Sequence, residues 1–233
     1  MAQKKLIRFA QLKTFSNVWE YPEAMQGKWA TALGNNKPII LELACGRGEY
    51  TVGLARAHED KNFIGIDVKG HRMFLGAKSA RDENIPNAFF LRTQIERIAE
   101  FFAPGEVSEI WITFPDPQPR TSKAKKRLTH PRFLKAYHSI LKPGGPIHLK
   151  TDSPDLYEFT KLVIQLTGCK LVEAYDNVYT QRPGNADLAI KTHYEALDIA
   201  GSKKIHYLKF ILPKILPDVE AELKTLLAAE HAD

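Results

Sequence analysis

The sequence predicts an α/β domain: a parallel sheet covered by helices on both faces. Three observations carry that prediction. From Pro38 onward, short apolar runs alternate with segments of helical periodicity. The short runs are apolar nearly throughout, as strands buried on both faces require. A chain of 233 residues that is 44% hydrophobic suits one such domain with an appendage.

In chain order, Ile39–Leu43 reads as the first strand and residues 48–58 as a helix. Phe63–Asp67 follows as a strand, then a helix near 70–83, the strand Ala88–Arg92 and a short helix near 95–102. Val107–Phe114 is the fourth strand, 131–140 a helix, Pro146–Lys150 the fifth strand and 154–167 a helix. Lys170–Tyr175 and Ile205–Ile211 close the sheet, giving seven strands. Right-handed crossovers restrict the topology to a few choices. Residues 1–37 are polar and basic with scattered aromatics (Phe9, Phe15, Trp19, Tyr21, Trp29), and a short helix is expected near 22–33. They read as an extension, either a packing arm or a substrate-binding arm, ahead of a main domain at 38–233. Segments 114–130 and 176–204 lack periodicity and read as long loops, which in compact domains are usually functional.

Net charge is +6, which points to an anionic partner such as nucleic acid. Cys45 and Cys169 fall in different elements without a CxxC partner, so they form no metal framework, and the histidines show no metal spacing. A reduced, cytoplasmic protein is expected. Arg8 interrupts the apolar stretch of Met1–Leu12, which therefore lacks a signal-peptide core. No apolar run approaches the roughly 20 residues of a membrane span.

Two segments carry chemistry. The first joins the first strand to the first helix: Glu42, then Gly46-Arg47-Gly48, with Asp67 at the end of the second strand. The glycines permit a tight turn and close ligand approach, and Asp67 is placed to accept hydrogen bonds from a ribose diol. A dinucleotide site would want a third glycine, where Thr51 stands, and Glu49 would repel a pyrophosphate. A cationic nucleoside without phosphates, such as S-adenosylmethionine, fits better. A purely structural turn is the third reading.

The second segment is Phe114-Pro115-Asp116-Pro117-Gln118-Pro119-Arg120, which follows the fourth strand. Flanking prolines stiffen the Asp116 backbone, and the topology puts that carboxylate at the sheet's switch point beside the first strand. It reads as a catalytic group or as a turn aspartate capping its own backbone. Arg120, Lys123, Lys125, Lys126, Arg127, Arg132 and Lys135 follow, as solvated surface or as phosphate ligands; proximity to Asp116 favours the latter. Asp152 faces the same cleft or caps the next helix. Within Thr192-His193-Tyr194-Glu195, a carboxylate is suited to the donor edge of guanine.

Together these motifs resemble the bacterial tRNA (guanine-N7-)-methyltransferase family over about residues 38–211. The resemblance implies a class I S-adenosylmethionine-dependent methyltransferase fold, Rossmann-like and doubly wound, with a mostly parallel seven-stranded sheet. It implies methyl transfer to N7 of a guanine in the tRNA variable loop. It carries Asp116 over as the catalytic residue. Glu42, Gly46, Gly48, Asp67, Gln94 and Asp116 become cofactor ligands. Arg120, Lys125, Lys126, Arg127, Asp152, Thr192, His193, Tyr194 and Glu195 become substrate contacts. The chain departs from the family pattern at Ala44 (usually glycine), Gln94 (usually acidic), Gln118 (often Trp) and Arg120 (often Lys). A small-molecule methyltransferase and a non-catalytic RNA-binding protein are the alternatives on this fold; both a monomer and a homodimer are compatible with the sequence.

Overall fold

The computed structural model describes residues 2–197 and 204–229, without the side chains of residues 2–4, 194 and 196. Its centre is one eight-stranded sheet in the order β1-β4-β3-β2-β5-β6-β8-β7. The strands are β1 (Val18–Glu20), β2 (Ile39–Leu43), β3 (Asn62–Asp67), β4 (Ala88–Arg92), β5 (Val107–Thr113), β6 (Pro146–Thr151), β7 (Lys170–Tyr175) and β8 (His206–Ile211). β1 to β6 run parallel, and β8 is antiparallel to both β6 and β7. The chain builds outward from β2 through β3 to β4, then returns to lay β5 on the other flank of β2. That reversal creates a crevice at the carboxyl ends of β2 and β5, where open α/β sheets bind ligands.

The helices α3 (Glu49–Ala57), α4 (Gly70–Asp82), α5 (Pro131–Ile140) and α6 (Pro154–Thr167) cover the sheet. Two apolar cores result, one on each face. β2 and β3 are buried at every position, which explains why no alternation was visible in them. Both α5 and α6 begin with proline, where a missing N–H costs nothing, behind side-chain caps at His130 and Ser153.

The sequence predicts seven strands, and the described residues form eight. The additional strand is β1, paired in parallel with β4 from Val18 opposite Phe90 to Glu20 opposite Arg92. Three half-buried residues give no readable period. The N-terminal segment also forms α1 (Ala2–Leu12), which packs on α4, and α2 (Trp29–Leu33), shorter than the helix expected near 22–33. Trp29 is fully buried, stacks on Phe102 at 5.0 Å and donates its indole N–H to the Phe101 carbonyl at 2.8 Å. Residues 18–33 thus complete the edge of the sheet. No helix among the described residues is long and apolar enough to cross a membrane. Among them, no group of three or more His, Cys, Asp or Glu is arranged to hold a metal.

Candidate active site

A cleft of about 750 Å³ opens at the carboxyl ends of β2 to β6. Its lining includes Gly46, Asp67, Gln94, Asp116, Lys126, Asp152 and Thr192. Residues separated by up to 146 positions thus meet in one hollow, lined by both the glycine turn and the proline-flanked aspartate.

The turn between β2 and α3 is built on left-handed backbone: φ is +56° at Ala44, +56° at Gly46 and +76° at Gly48. Ala44 pays a steric cost of roughly 1–2 kcal/mol that glycine would not. Gly48 serves as the N-cap of α3 and lies against Phe90. Helix α4 presses on the same turn through Gly76, where an added Cβ would come within 2.6 Å of the Arg47 carbonyl oxygen and 2.9 Å of Gly48 Cα. Gly76→Ala is therefore expected to destabilise the fold by about 1–3 kcal/mol despite alanine's better helix propensity. It should also weaken cofactor binding; thermal unfolding and calorimetric titration check both.

Asp67 links this turn to β3. Its Oδ2 accepts the Gly46 N–H at 3.0 Å and its Oδ1 accepts the Lys69 N–H at 2.7 Å. Two backbone donors fix the carboxylate, and each oxygen keeps acceptor capacity for a diol. Glu42 lies beneath the turn, outside the cleft lining. One of its oxygens accepts the Thr51 N–H at 2.7 Å and the Thr51 hydroxyl; the other accepts the Thr113 hydroxyl at 2.6 Å. Burial raises the Glu42 carboxyl to about 7 against the opposing hydrogen bonds from Thr113 and Thr51. An acid thus holds the first-turn amide of α3 that a pyrophosphate would need. Thr51, at the place of the third glycine, is there to bond Glu42. The site suits a cation and a ribose and disfavours a dinucleotide.

Opposite stands the Asp116 loop. Phe114 takes φ +46° and Gln118 φ +48°, both strained for residues with a side chain. Asp116 is exposed, and its Oδ1 accepts the Gln118 N–H at 3.2 Å. The carboxylate therefore both caps its own turn and faces the cleft. Asp152 also lines the cleft, while its neighbour Ser153 caps α6, accepting the Leu156 N–H at 3.2 Å.

The basic run divides. Arg120, Lys123, Lys125 and Lys126 are exposed on a 3₁₀ turn beside the cleft, where a structureless loop was expected. Lys125 lies 3.6 Å from Glu220. Arg127, expected to grip phosphate, is only 5% exposed. Its guanidinium donates to the Gln118 and Pro119 carbonyls at 3.2 and 3.4 Å and lies 4.4 Å over Phe159, bracing the Asp116 loop from within. Glu195, expected at the guanine edge, accepts from buried Lys150 on one carboxylate oxygen and from the Tyr179 hydroxyl on the other. His193 is half-buried and outside the cleft lining, and the side chain of Tyr194 lies outside the described residues.

Lys150 is the residue that sequence reading missed. A lysine ending a central apolar strand was the available signal, since lysine is almost never fully buried unless paired.

A family model described as a putative methyltransferase, Methyltransf_4, matches residues 36–208. A tRNA (guanine-N(7)-)-methyltransferase of Bacteroides thetaiotaomicron is 46% identical, the alignment covering 96% of this chain and 93% of the relative. The chain belongs to the tRNA (guanine-N7-)-methyltransferase family. A further member, from Porphyromonas gingivalis, is 48% identical over 90% of this chain and 89% of its own. Family membership agrees with a fold shared with solved rRNA methyltransferases. The 16S rRNA methyltransferase KamB superposes with a TM-score of 0.61 at 16% identity, over 82% of this chain and 96% of its own. The 30S ribosomal A1408 methyltransferase from an uncultured bacterium gives 0.59 at 18%, with the same coverage.

Proposed function

We propose that this chain transfers a methyl group from S-adenosylmethionine to N7 of a guanine in the variable loop of tRNA. The observation that carries the reading is the convergence of the glycine turn, Asp67 and Asp116 on one cleft flanked by exposed cations. Relatives named tRNA (guanine-N(7)-)-methyltransferases, 46–48% identical over most of the chain, support the same substrate.

S-adenosylmethionine supplies an electrophilic methyl on a sulfonium centre. Guanine N7 carries an in-plane lone pair and no proton, so no general base is required. Asp67 is assigned to the ribose, Gly46 and Gly48 to close backbone approach, and Gln94 to the adenine. Glu42 supplies negative potential beneath the turn. Asp116 faces the position where the guanine ring gains positive charge, and a preorganised carboxylate stabilises that charge as it develops. Asp152 and Thr192 line the far wall and are assigned to the base. The proline-stiffened loop contributes alignment, which in well-oriented reactions is worth roughly 7–11 kcal/mol. The major groove of A-form RNA is too narrow for side chains, so the target guanine must be exposed or extruded. Arg120, Lys125 and Lys126 are assigned to the phosphates that hold it there. Acting on tRNA, the enzyme works in the cytoplasm as a monomer or homodimer.

The test is incubation with unmodified tRNA and labelled cofactor, followed by mapping of the modified nucleotide. Label at the variable-loop guanine is expected; label elsewhere, or only on free guanosine, sinks the reading. Replacing Arg120, Lys125 and Lys126 with glutamine should reduce the slope of log K against log salt by about 2, at 0.7–0.9 per phosphate contact. An unchanged slope would move the phosphate track to another face.

A further inference from the structure

Helix α3 begins at the glycine turn, behind its N-cap Gly48, and also carries a segment that joins it from much later in the chain. That segment is the short helix Ala186–Ala189 and the residues that lead from it to Thr192 in the cleft. Three contacts seat it on α3. Tyr50, fully buried, donates its hydroxyl to the Asp187 carbonyl at 2.5 Å. Asp187 Oδ1 lies 2.7 Å from His58 Nε2. Ile190 lies directly against Gly53, where an added Cβ would meet Ile190 Cγ2 at 2.9 Å, Cδ1 at 3.1 Å and Cγ1 at 3.2 Å.

We propose that Gly53 and Tyr50 are positioning residues for methyl transfer: they seat Ile190 and Asp187 and thereby set where Thr192 stands in the cleft. The inference rests on the function proposed above.

Gly53 sits in the middle of a nine-residue helix, where glycine is less favourable than alanine. Its backbone is ordinary right-handed helix, unlike that of Gly46 and Gly48, so no turn requires it. What the missing side chain provides is room for Ile190. Two of the three carbons in the way, Cγ1 and Cγ2, branch from Cβ, and a β-branched side chain has little freedom to swing aside. An added methyl at residue 53 would therefore push the Ile190 backbone, by about half an ångström to regain ordinary contact.

The push has few outlets. The Ile190 carbonyl accepts Lys150 Nζ at 2.9 Å, and Leu188 is buried. Thr192 follows two residues later, with its Oγ1 accepting the Glu195 N–H at 3.1 Å. A shift at Ile190 is thus passed along the chain to the cleft. One helix serves both parts of the site: its N-terminus closes the cofactor turn and its middle seats the segment that ends at Thr192.

The test compares Gly53→Ala, Ile190→Ala, the double variant and Tyr50→Phe with wild type in single-turnover methylation of tRNA. Cofactor affinity is followed by calorimetry, tRNA affinity by filter binding, and amide exchange over 186–192 by mass spectrometry. A displacement of about 1 Å can cost roughly 10²-fold in rate, so Gly53→Ala is expected to slow transfer at saturating tRNA about tenfold. Its affinity for the cofactor should stay within about twofold, because the glycine turn is untouched. Its affinity for tRNA should do the same, because phosphate contacts supply most of it. Exchange at 188–192 should accelerate. The double variant removes all three colliding carbons and should regain at least about threefold over Gly53→Ala. Should Gly53→Ala not fold, Tyr50→Phe decides: it is expected to slow transfer about threefold and to loosen 186–190. A seat that serves stability alone would lower the melting temperature and leave the rate per folded molecule at the wild-type value. That result in Gly53→Ala, or in Tyr50→Phe where it decides, overturns the proposal. So does a cofactor affinity that falls in step with the rate, or a double variant whose loss is the product of the single losses. Those failures leave tRNA methylation by the wild-type protein standing, whereas a wild-type protein inert on tRNA defeats the functional reading itself.

Discussion

Asp116→Asn is expected to slow guanine methylation by about 10²–10³-fold, the cost of removing one preorganised group from a developing charge. Asparagine keeps the Oδ1 that accepts the Gln118 N–H at 3.2 Å, so the loop retains its turn. Pro115 and Pro117 are untouched, Arg127 still braces the carbonyls of Gln118 and Pro119, and the strained Phe114 keeps its bond to Lys150. Because residue 116 is exposed, stability should change by no more than about 0.5 kcal/mol. What disappears is the negative charge facing the cleft. Single-turnover rates at saturating tRNA, with RNA affinity measured in parallel, isolate that term. Asp116→Ala removes the turn acceptor as well, so its additional loss reports loop order. Turnover of Asp116→Asn close to wild type would assign the loop to alignment alone.

The framework of this site was legible because its causes are local. Largely apolar runs of five to seven residues mark β2 to β6, and glycines or prolines mark the turns beyond several of them. Once the strand order reverses at β2 and β5, Gly46 and Asp116 must face each other. What stayed hidden depends on partners distant in sequence. The inward turn of Arg127 is set by Phe159 and two loop carbonyls, and nothing in a run of cations separates it from exposed Lys125 and Lys126. The bonds of Glu195 stayed hidden because its partners, Lys150 and Tyr179, lie 45 and 16 residues away. β1 escaped notice because three half-buried residues carry no period. Gly76 resembled any helical glycine until α4 was seen resting on the Arg47 carbonyl.

Glu42→Gln is expected to remove a pH dependence of stability and, through it, to expose how the glycine turn is charged. The folded protein raises Glu42 from the ordinary 4.5 to about 7 because burial disfavours the anion. Between those values the folded chain binds a proton that the unfolded chain has lost, so stability falls as pH rises through the window and levels off above about 7. With each pKa unit worth roughly 1.4 kcal/mol, the fall amounts to about 3 kcal/mol. Glutamine stays neutral throughout and keeps an acceptor for the Thr51 N–H, while the Thr51 and Thr113 hydroxyls can rotate to suit it. The variant should match wild type near pH 4 and exceed it by up to about 3 kcal/mol at pH 8, read from urea midpoints at equal slope. Parallel curves for the two proteins would show that Glu42 ionises as it would in water. The same linkage reaches the ligand. A cofactor carrying sulfonium and ammonium charge favours ionised Glu42, so its binding should release protons near pH 7 in wild type and none from this site in the variant. Buffers of different ionisation enthalpy make that difference measurable. The stability given up at neutral pH would then be the free-energy cost of keeping an anion beneath the turn, ready for a cation to arrive above it.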